Sequence, residues 1–429
     1  MNKIDLSTGQ KIYDLALKLW PINRSLTGQG TRETLSIIKK EIPNLEIKEI
    51  PSGTKVFDWI IPKEWKITEA WIIDPDGNKI CNFAENNLHV VGYSFPVNKK
   101  INLNELNDHL YSLPNQADAI PYVTSYYEER WGFCIADNER KKLKNGTYEV
   151  FIDSTHFDGS MTYGELLIPG QQKDEIFLST YICHPSMANN EISGPCVTTF
   201  LSKWLNNLKD RKYSYRIIFI PETIGSIAYL SKNFEYMKKK IIAGFNITCV
   251  GDERAYSFLP SRNGQFISDK FARHTLYWTD KNYISYNWSE RGSDERQYCA
   301  PGIDLPVSSI MRTKYHEYPE YHTSLDTLGN VVTVKGLFGG FEAIRKTIEA
   351  IEKNFYPKVK FLCEPHLSKR NLYPSIGGKN ISKKIHTMME FITWSDGNHS
   401  LLEIADKCNL PIWELYEVSQ KLKEHNIIE

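Results

Sequence analysis

The sequence predicts an α/β protein whose sheet carries helices on both faces. A small β-rich domain is inserted early, and a winged-helix-like module follows at the C-terminal end. Three observations predict this. Between 166 and 355 apolar strand-like runs (EIFLSTYI at 175–182, YRIIFIP at 215–221, AGFNITCV at 243–250) alternate with helical stretches at 195–209 and 224–240. Between 43 and 165 short β-type runs alternate with turn signals such as Asp76-Gly77 and Asn145-Gly146. Beyond a linker rich in Pro, Gly, Ser and Asn at 364–380, three short helical patterns close the chain. At 429 residues the chain is too long for one ordinary core, so two or three domains are expected.

Taken in order, residues 7–41 read as helices around a loop, Asn23-Arg24-Ser25-Leu26-Thr27-Gly28-Gln29-Gly30, with Thr31 as N-cap candidate for the second helix. The first 20 residues form an amphipathic, charged pattern unlike a signal peptide, and no apolar run nears the roughly 18 residues that span a bilayer. The expectation is a cytoplasmic protein with no membrane partner. The runs KVFDWII, EAWIID, HVVGYSF and YEVFID belong to the inserted β domain. In the α/β part, strands alternating with helices give a largely parallel sheet, whose active site forms at the carboxyl ends of the strands. His184, Glu222 and the stretch 248–252 all fall just after expected strands.

The C-terminal helices are expected at 381–393, 400–407 and 411–425. From 364 onward the chain has eight Lys/Arg against nine Asp/Glu, net −1. A DNA reader presents a basic face. The module is therefore read as one for packing or dimerisation, with Ile404, Leu410, Trp413, Leu415, Val418 and Leu422 as its apolar stripe. The whole chain has 41% hydrophobic residues, 12% aromatic residues and zero net charge, so it is globular without a polyanion-binding signature. Its eight cysteines are scattered, with no CxxC, and read as free thiols.

Two distant strings carry the chemistry. One is His184-Pro185-Ser186-Met187-Ala188-Asn189-Asn190-Glu191-Ile192-Ser193-Gly194, a histidine ending an apolar run before a small-residue turn. The other is Tyr321-His322-Thr323-Ser324-Leu325-Asp326-Thr327-Leu328. Imidazoles from two distant points suit a zinc ion with N and O ligands. The bland readings are a hydrogen-bonded core histidine at 184, a helix cap at Glu222 and a solvated loop at 293–297. His89, His109 and His156 have no ligand-like spacing.

With these strings, the α/β segment resembles the zinc aminopeptidases with a two-metal site, a family that also includes glutaminyl cyclases. The whole chain resembles a family of uncharacterised bacterial proteins with an aminopeptidase-like core, an inserted β domain and a C-terminal winged helix, often encoded among surface-sugar genes. The motifs are PSGTKVFDW, CHPSMANNEISG, PETIGS, GSDERQY and EYHTSLDTL. The resemblance implies a zinc-aminopeptidase-like mixed sheet formed by 1–42 with 166–360, the inserted domain at 43–165 and the winged helix at 364–429. It makes His184 and His322 metal ligands and Glu222 the general base. It also shows three departures: Asn190, Thr223 and Thr248 stand where the aminopeptidases carry metal-binding carboxylates, the nearest acids to Thr248 being Asp252 and Glu253. Two zinc ions need those hard oxygen ligands, so one zinc per chain is expected, on His184, His322 and Glu191, with Glu222 or Asp294 as alternatives to Glu191. Asn190, Asp294, Arg296 and Tyr321 are the expected substrate contacts, and Arg262, Arg291 or Arg296 would clamp an anionic group. The expected activity is a single-zinc hydrolase or acyl-transfer enzyme on a small-molecule or peptide-like substrate, an amide or ester in surface-sugar biosynthesis. The competing reading is an inactive binding or scaffold protein. No nucleic-acid partner is expected, and a homo-oligomer is left open.

Overall fold

The structure is a computed structural model describing residues 6–372 and 383–429. It divides into two compact units, 1–269 with 282–342, and 270–281 with 343–429.

The first unit is built on an eight-stranded mixed sheet. Its spatial order is Glu46–Pro51, Ser160–Ile168, Ser214–Ile220, Glu175–Tyr181, Ile241–Asn246, Val307–Met311, Ser257–Leu259 and Ile284–Ser285. The four central strands run parallel, and the strand next to them on each side pairs antiparallel, while the outermost pair Ser257–Leu259 with Ile284–Ser285 is parallel. Strand Glu175–Tyr181 is wholly buried, as its unbroken apolar run predicts for a strand covered on both faces. Alternation sends Phe177 to one face, where it meets Tyr229 of helix Ile224–Lys240 and Tyr298 of helix Glu295–Tyr298. Thr180 points the other way, to helix Ser193–Asn207. There a Cβ on Gly194 would stand 2.5 Å from both Thr180 Oγ1 and the Ile247 carbonyl, so only glycine lets that helix start against the sheet.

The chain crosses from Glu175–Tyr181 to Ser214–Ile220 on one side and then to Ile241–Asn246 on the other. The reversal opens a crevice at the carboxyl ends of these strands. Helices Ser7–Leu19 and Gln29–Glu41 bracket the loop predicted between them. The second starts at Gln29 rather than beyond Thr31. Gly28 provides the entry with φ 105°, and the Thr31 hydroxyl is turned inward to the Ser25 carbonyl.

The inserted β-rich segment forms a four-stranded sheet in the order Lys79–Ile80, Glu64–Ile73, Thr147–Phe157, Val97–Asn102, with its own apolar core. Its expected limits, 43 and 165, fall at strands of the large sheet, since Glu46–Pro51 pairs with Ser160–Ile168. A β-type run reads alike whichever sheet it joins, so the pattern could not set that border. Between these strands a hairpin, Lys55–Val56 with Trp59–Ile60, projects to solvent.

In the second unit, helices Lys383–Trp394, Leu401–Lys407 and Glu414–Glu424 match the three expected. Ser400 and Glu403 form a reciprocal capping box. Val359 donates to the Ser395 carbonyl and Lys360 to that of Ile427, so the module takes in residues before 364. The expected linker at 364–380 lies outside the described residues from 373, as does the helix start at 381 and 382. Ile404, Leu415, Val418 and Leu422 are buried, while Leu410 and Trp413 are half-buried. All eight cysteines are free, Cys363 alone exposed.

Candidate functional site

The crevice gathers the sequence-predicted residues from separate elements. His184 follows strand Glu175–Tyr181, Glu222 follows Ser214–Ile220, and Thr248 follows Ile241–Asn246. His322 comes from a turn where it holds φ 56°, a conformation uncommon outside glycine. The His184 and His322 rings are 5.5 Å apart, and both line a cavity of about 360 Å³ together with Glu222 and Arg296.

His184 is held from behind. Its Nδ1 lies 3.0 Å from Glu191 Oε2 and 3.3 Å from Cys183 Sγ. Glu191, in a π-helical turn Ala188–Ile192, faces Arg24 Nε at 3.3 Å. Arg24 is buried and also donates to the carbonyls of His184 and Leu19, at 3.0 and 2.7 Å. Burial, reinforced by the Arg24 charge, lowers the His184 pKa to about 3, so the imidazole is neutral. Burial raises Glu191 to about 8 against the opposing pull of Arg24. The remaining His184 nitrogen, Nε2, stands 3.6 Å from Glu222 Oε2.

Cys183, His184 and Glu191 bring ligand-type atoms within 4.8 Å of one another. The buried Arg24 guanidinium lies beside that cluster, paired with Glu191 at 3.3 Å. The Glu191 carboxylate contacts the His184 ring nitrogen opposite the one near Glu222.

Glu222 accepts a hydrogen bond from Ser293 Oγ at 2.7 Å. Burial and the neighbouring Asp294 charge raise its pKa to about 8. It does not cap helix Ile224–Lys240, whose N-cap is Thr223 without a side-chain hydrogen bond. Asp294 is buried. Its Oδ1 accepts from Thr223 N and Ser226 Oγ at 2.7 and 2.8 Å, and its Oδ2 has no partner. Burial pushes its pKa up to about 7. His322 Nε2 is likewise buried without a partner, and burial holds its imidazole neutral. Tyr321 stacks on His322 with centroids 3.9 Å apart and planes 13° from parallel.

At the places of the missing carboxylates, Asn190 and Thr248 share a neutral network through Tyr181, while Thr223 meets a guanidinium. Asn190 Nδ2 donates to Tyr181 Oη at 2.8 Å, and that hydroxyl lies 2.6 Å from Thr248 Oγ1. Thr223 Oγ1 accepts from Arg296 Nη2 at 2.8 Å. Asp252 is used by Thr313, and Glu253 by Lys335 and Thr333. Of the expected substrate contacts, Arg296 lines the cavity, while Asn190, Asp294 and Tyr321 are not in its lining. Asn190 donates through Nδ2 to Tyr181 Oη, with its Oδ1 unpartnered, and Asp294 Oδ1 accepts from Thr223 N and Ser226 Oγ. Arg262 pairs with Asp304 and Arg291 lies over Trp288, both at exposed positions outside the cavity.

Three residues escaped the sequence reading. Arg24 is one. Tyr122 is the second, its ring 5.1 Å from His184 and 5.2 Å from His322. Tyr126 is the third, its hydroxyl 2.7 Å from that of Tyr122. The segment carrying both tyrosines is sewn to the His322 turn: Tyr122 N donates to the His322 carbonyl and Ser324 N to that of Ile120, each at 2.9 Å. The one available signal was the tyrosine density of PYVTSYY at 121–127.

Neutral imidazole nitrogens beside a carboxylate are donors of the kind zinc takes, and the unpartnered Nε2 of His322 is chemically suited to a metal, so the site fits the ion.

The comparisons agree with this architecture. A family described as a domain of unknown function (DUF4910) matches residues 13–354, and a winged helix-turn-helix family matches 354–429. A Clostridium acetobutylicum protein named for polysaccharide biosynthesis and an aminopeptidase-like domain is 45% identical over 94% of this chain and 92% of its own. A crystal structure from the same species, provisionally named a peptidase, superposes with a TM-score of 0.92 at 42% identity, covering 99% of this chain and 97% of that one. The zinc aminopeptidase BSAP from Bacillus subtilis gives a TM-score of 0.57 at 12% identity over 80% and 94%. A peptidase M28 precursor from Shewanella amazonensis gives 0.57 at 12% over 83% and 97%. At that identity the likeness shows the fold, a zinc-aminopeptidase-like α/β sheet. With a winged helix-turn-helix at its C-terminal end, the chain belongs to the DUF4910 family.

Proposed function

We propose that the chain is a single-zinc hydrolase or acyl-transfer enzyme acting on an amide or ester of a glycan precursor. The observation that carries the proposal is the cavity itself: two neutral imidazoles and one carboxylate of raised pKa converge there beside an arginine. His184 and His322 would hold the zinc, with Glu191 positioning His184 through Nδ1. A zinc bound there would supply a Lewis acid for a substrate carbonyl and acidify water.

The chain's own residues do the rest. Glu222 takes the proton of the attacking nucleophile and returns it to the leaving group, and its raised pKa brings it close to the working pH for both tasks. Arg296 offers a fork of donors to an anionic or carbonyl group. Tyr122 and Tyr126 exclude water above the histidines. The glycan assignment is supported by the name of the C. acetobutylicum relative. A cytoplasmic setting is part of the proposal; no helix among the described residues is long and apolar enough to cross a membrane.

The competing reading, an inactive binding protein, is favoured by the neutral residues at Asn190, Thr223 and Thr248. Elemental analysis of the purified protein and a Glu222→Gln variant separates the two. About one zinc per chain is expected in both, with turnover of N- and O-acylated sugars confined to the parent. Two zinc ions per chain, or none, would contradict the single-zinc site. Equal turnover by the variant would remove Glu222 from the chemistry.

A further inference from the structure

Four large side chains that a soluble fold normally covers are exposed on the projecting hairpin and on the segment that borders the cavity. Phe57, Trp59 and Ile60 come from the projecting hairpin, and Tyr127 from the tyrosine-rich segment. Their exposures are 52, 40, 54 and 55%. The Trp59 and Tyr127 rings meet edge-on at 5.8 Å, and the Tyr127 hydroxyl donates to the Ile60 carbonyl at 3.2 Å. Both rings also line the catalytic cavity, so the apolar patch is continuous with the site. Contiguous exposed apolar surface of this kind marks a binding region.

A second cavity of about 550 Å³ begins on the other side of the same segment. It shares Tyr126 and Tyr127 with the first and is walled by Tyr93, Phe95 and His156. Its charged lining residues are Glu128, Glu129 and Asp158 against Lys63; with Arg130, which pairs with Glu128 at 3.4 Å, the rim is still net negative. The exposed rings of Trp59 and Tyr127 beside these carboxylates suit a ligand with apolar ring faces and hydroxyl edges. The rings cover the faces, and the carboxylates accept from the hydroxyls. A nucleoside diphosphate would place like charge against that rim, which costs affinity.

We infer that the hairpin Lys55–Ile60, Tyr127 and the acidic cavity beyond them form a subsite for neutral sugar residues, adjoining the catalytic cavity. A glycan lying there would present its acyl group to Glu222. That last placement rests on the hydrolase reading, whereas the binding itself does not.

The test is calorimetric titration of the full-length protein with N,N′,N″-triacetylchitotriose, maltotriose and UDP-N-acetylglucosamine. At least one neutral trisaccharide should bind, and more tightly than the nucleotide sugar. Trp59→Ala and Tyr127→Ala should each weaken it roughly tenfold, about the effect of losing one stacked ring. Trp59→Phe and Tyr127→Phe keep the ring and should keep binding. The mutated side chains are exposed, so thermal unfolding of each variant should match the parent. Glu222→Gln should bind the trisaccharide as the parent does. The inference is overturned if neither trisaccharide binds, if the nucleotide sugar binds better, or if the alanine variants match the parent. Sugar binding without turnover would defeat the hydrolase reading alone. Turnover of acylated sugars that is indifferent to Trp59 and Tyr127 would defeat the subsite alone.

Discussion

Arg24 decides what Glu191 can do. Glu191 Oε2 contacts His184 Nδ1 at 3.0 Å, and its Oε1 lies 3.3 Å from Arg24 Nε without a hydrogen bond. On the proposed reading it would act on a metal through the imidazole, by fixing its tautomer and orientation. The ordering of variants follows. His322→Ala should lose zinc altogether, whereas Glu191→Gln should keep one equivalent and bind it about 10–100-fold more weakly, as an outer-shell change does. Competition with a chelating dye measures both. Complete loss in Glu191→Gln with intact folding would return Glu191 to direct ligation. Asp326 carries a separate prediction. Its Oδ1 accepts from Asn189 N and its Oδ2 from Asn190 N, at 2.8 and 3.0 Å, so it shapes the turn that holds Glu191. Burial raises its pKa to about 6 although those donors oppose the shift. The folded state thus holds this proton more tightly than the unfolded chain. The group's contribution to stability is greatest below the unfolded pKa of about 3.9 and is lost as pH rises toward 6. Asp326→Asn should flatten stability against pH across that window. It should also lower stability at pH 7 by about 1–3 kcal/mol, since an amide nitrogen would then face a backbone N–H. Denaturant unfolding at several pH values reads both effects.

At the scale of elements, the C-terminal module gives the clearest case. Its helices bury one stripe each, and most bases among its described residues have acidic or aromatic neighbours. Lys383 and Lys384 lie near Glu414 and Glu417 at 3.4 and 3.5 Å, Lys421 pairs with Glu417 at 2.8 Å, and Lys407 lies over Trp394. Within the same unit, Ile412 N donates to His274 Nε2 at 2.9 Å, and the other nitrogen lies 2.7 Å from Asp406. A winged helix whose bases are spent in this way has little left for phosphates. Duplex DNA titrated at low salt should bind no better than micromolar, and submicromolar, salt-sensitive affinity would restore a DNA-reading role. Truncation before Ile381 should lower solubility or change the oligomeric state, because it removes the side chains that cover His274, Lys346 and Lys353 within this unit. Size-exclusion chromatography of the truncated chain decides this.

At the scale of the whole molecule, the aminopeptidase-like sheet is kept, but Asn190, Thr223 and Thr248 stand where a second dication would need carboxylates. Asn190 and Thr248 are hydrogen-bonded to Tyr181 Oη, and Thr223 to the Arg296 guanidinium. A two-metal aminopeptidase holds the substrate amine and the nucleophile jointly. We expect weak or no hydrolysis of aminoacyl anilides. Robust turnover that disappears in Glu222→Gln would mean that the lost carboxylates matter less than their chemistry suggests.

The sequence by itself determined the α/β class, the parallel core, the winged helix and the delivery of His184 and Glu222 to one sheet edge; His322, in a turn, was placed by the resemblance of its motif. Strand and helix periodicities are local, and a residue that ends a parallel strand is delivered to the carboxyl edge whatever the rest of the chain does. Only the tertiary structure decided which atoms face one another. Glu191 follows His184 by seven residues and reads as a ligand, but no local pattern shows that Arg24, from a loop 160 residues upstream of His184, lies 3.3 Å from it. Tyr122 and Tyr126 belong to an insertion that looks like a separate domain, yet backbone hydrogen bonds to the His322 turn place them over the histidines. The borders of that insertion were unreadable for the same reason: strand pairing and charge partnership are contacts between distant segments, and no local pattern records them.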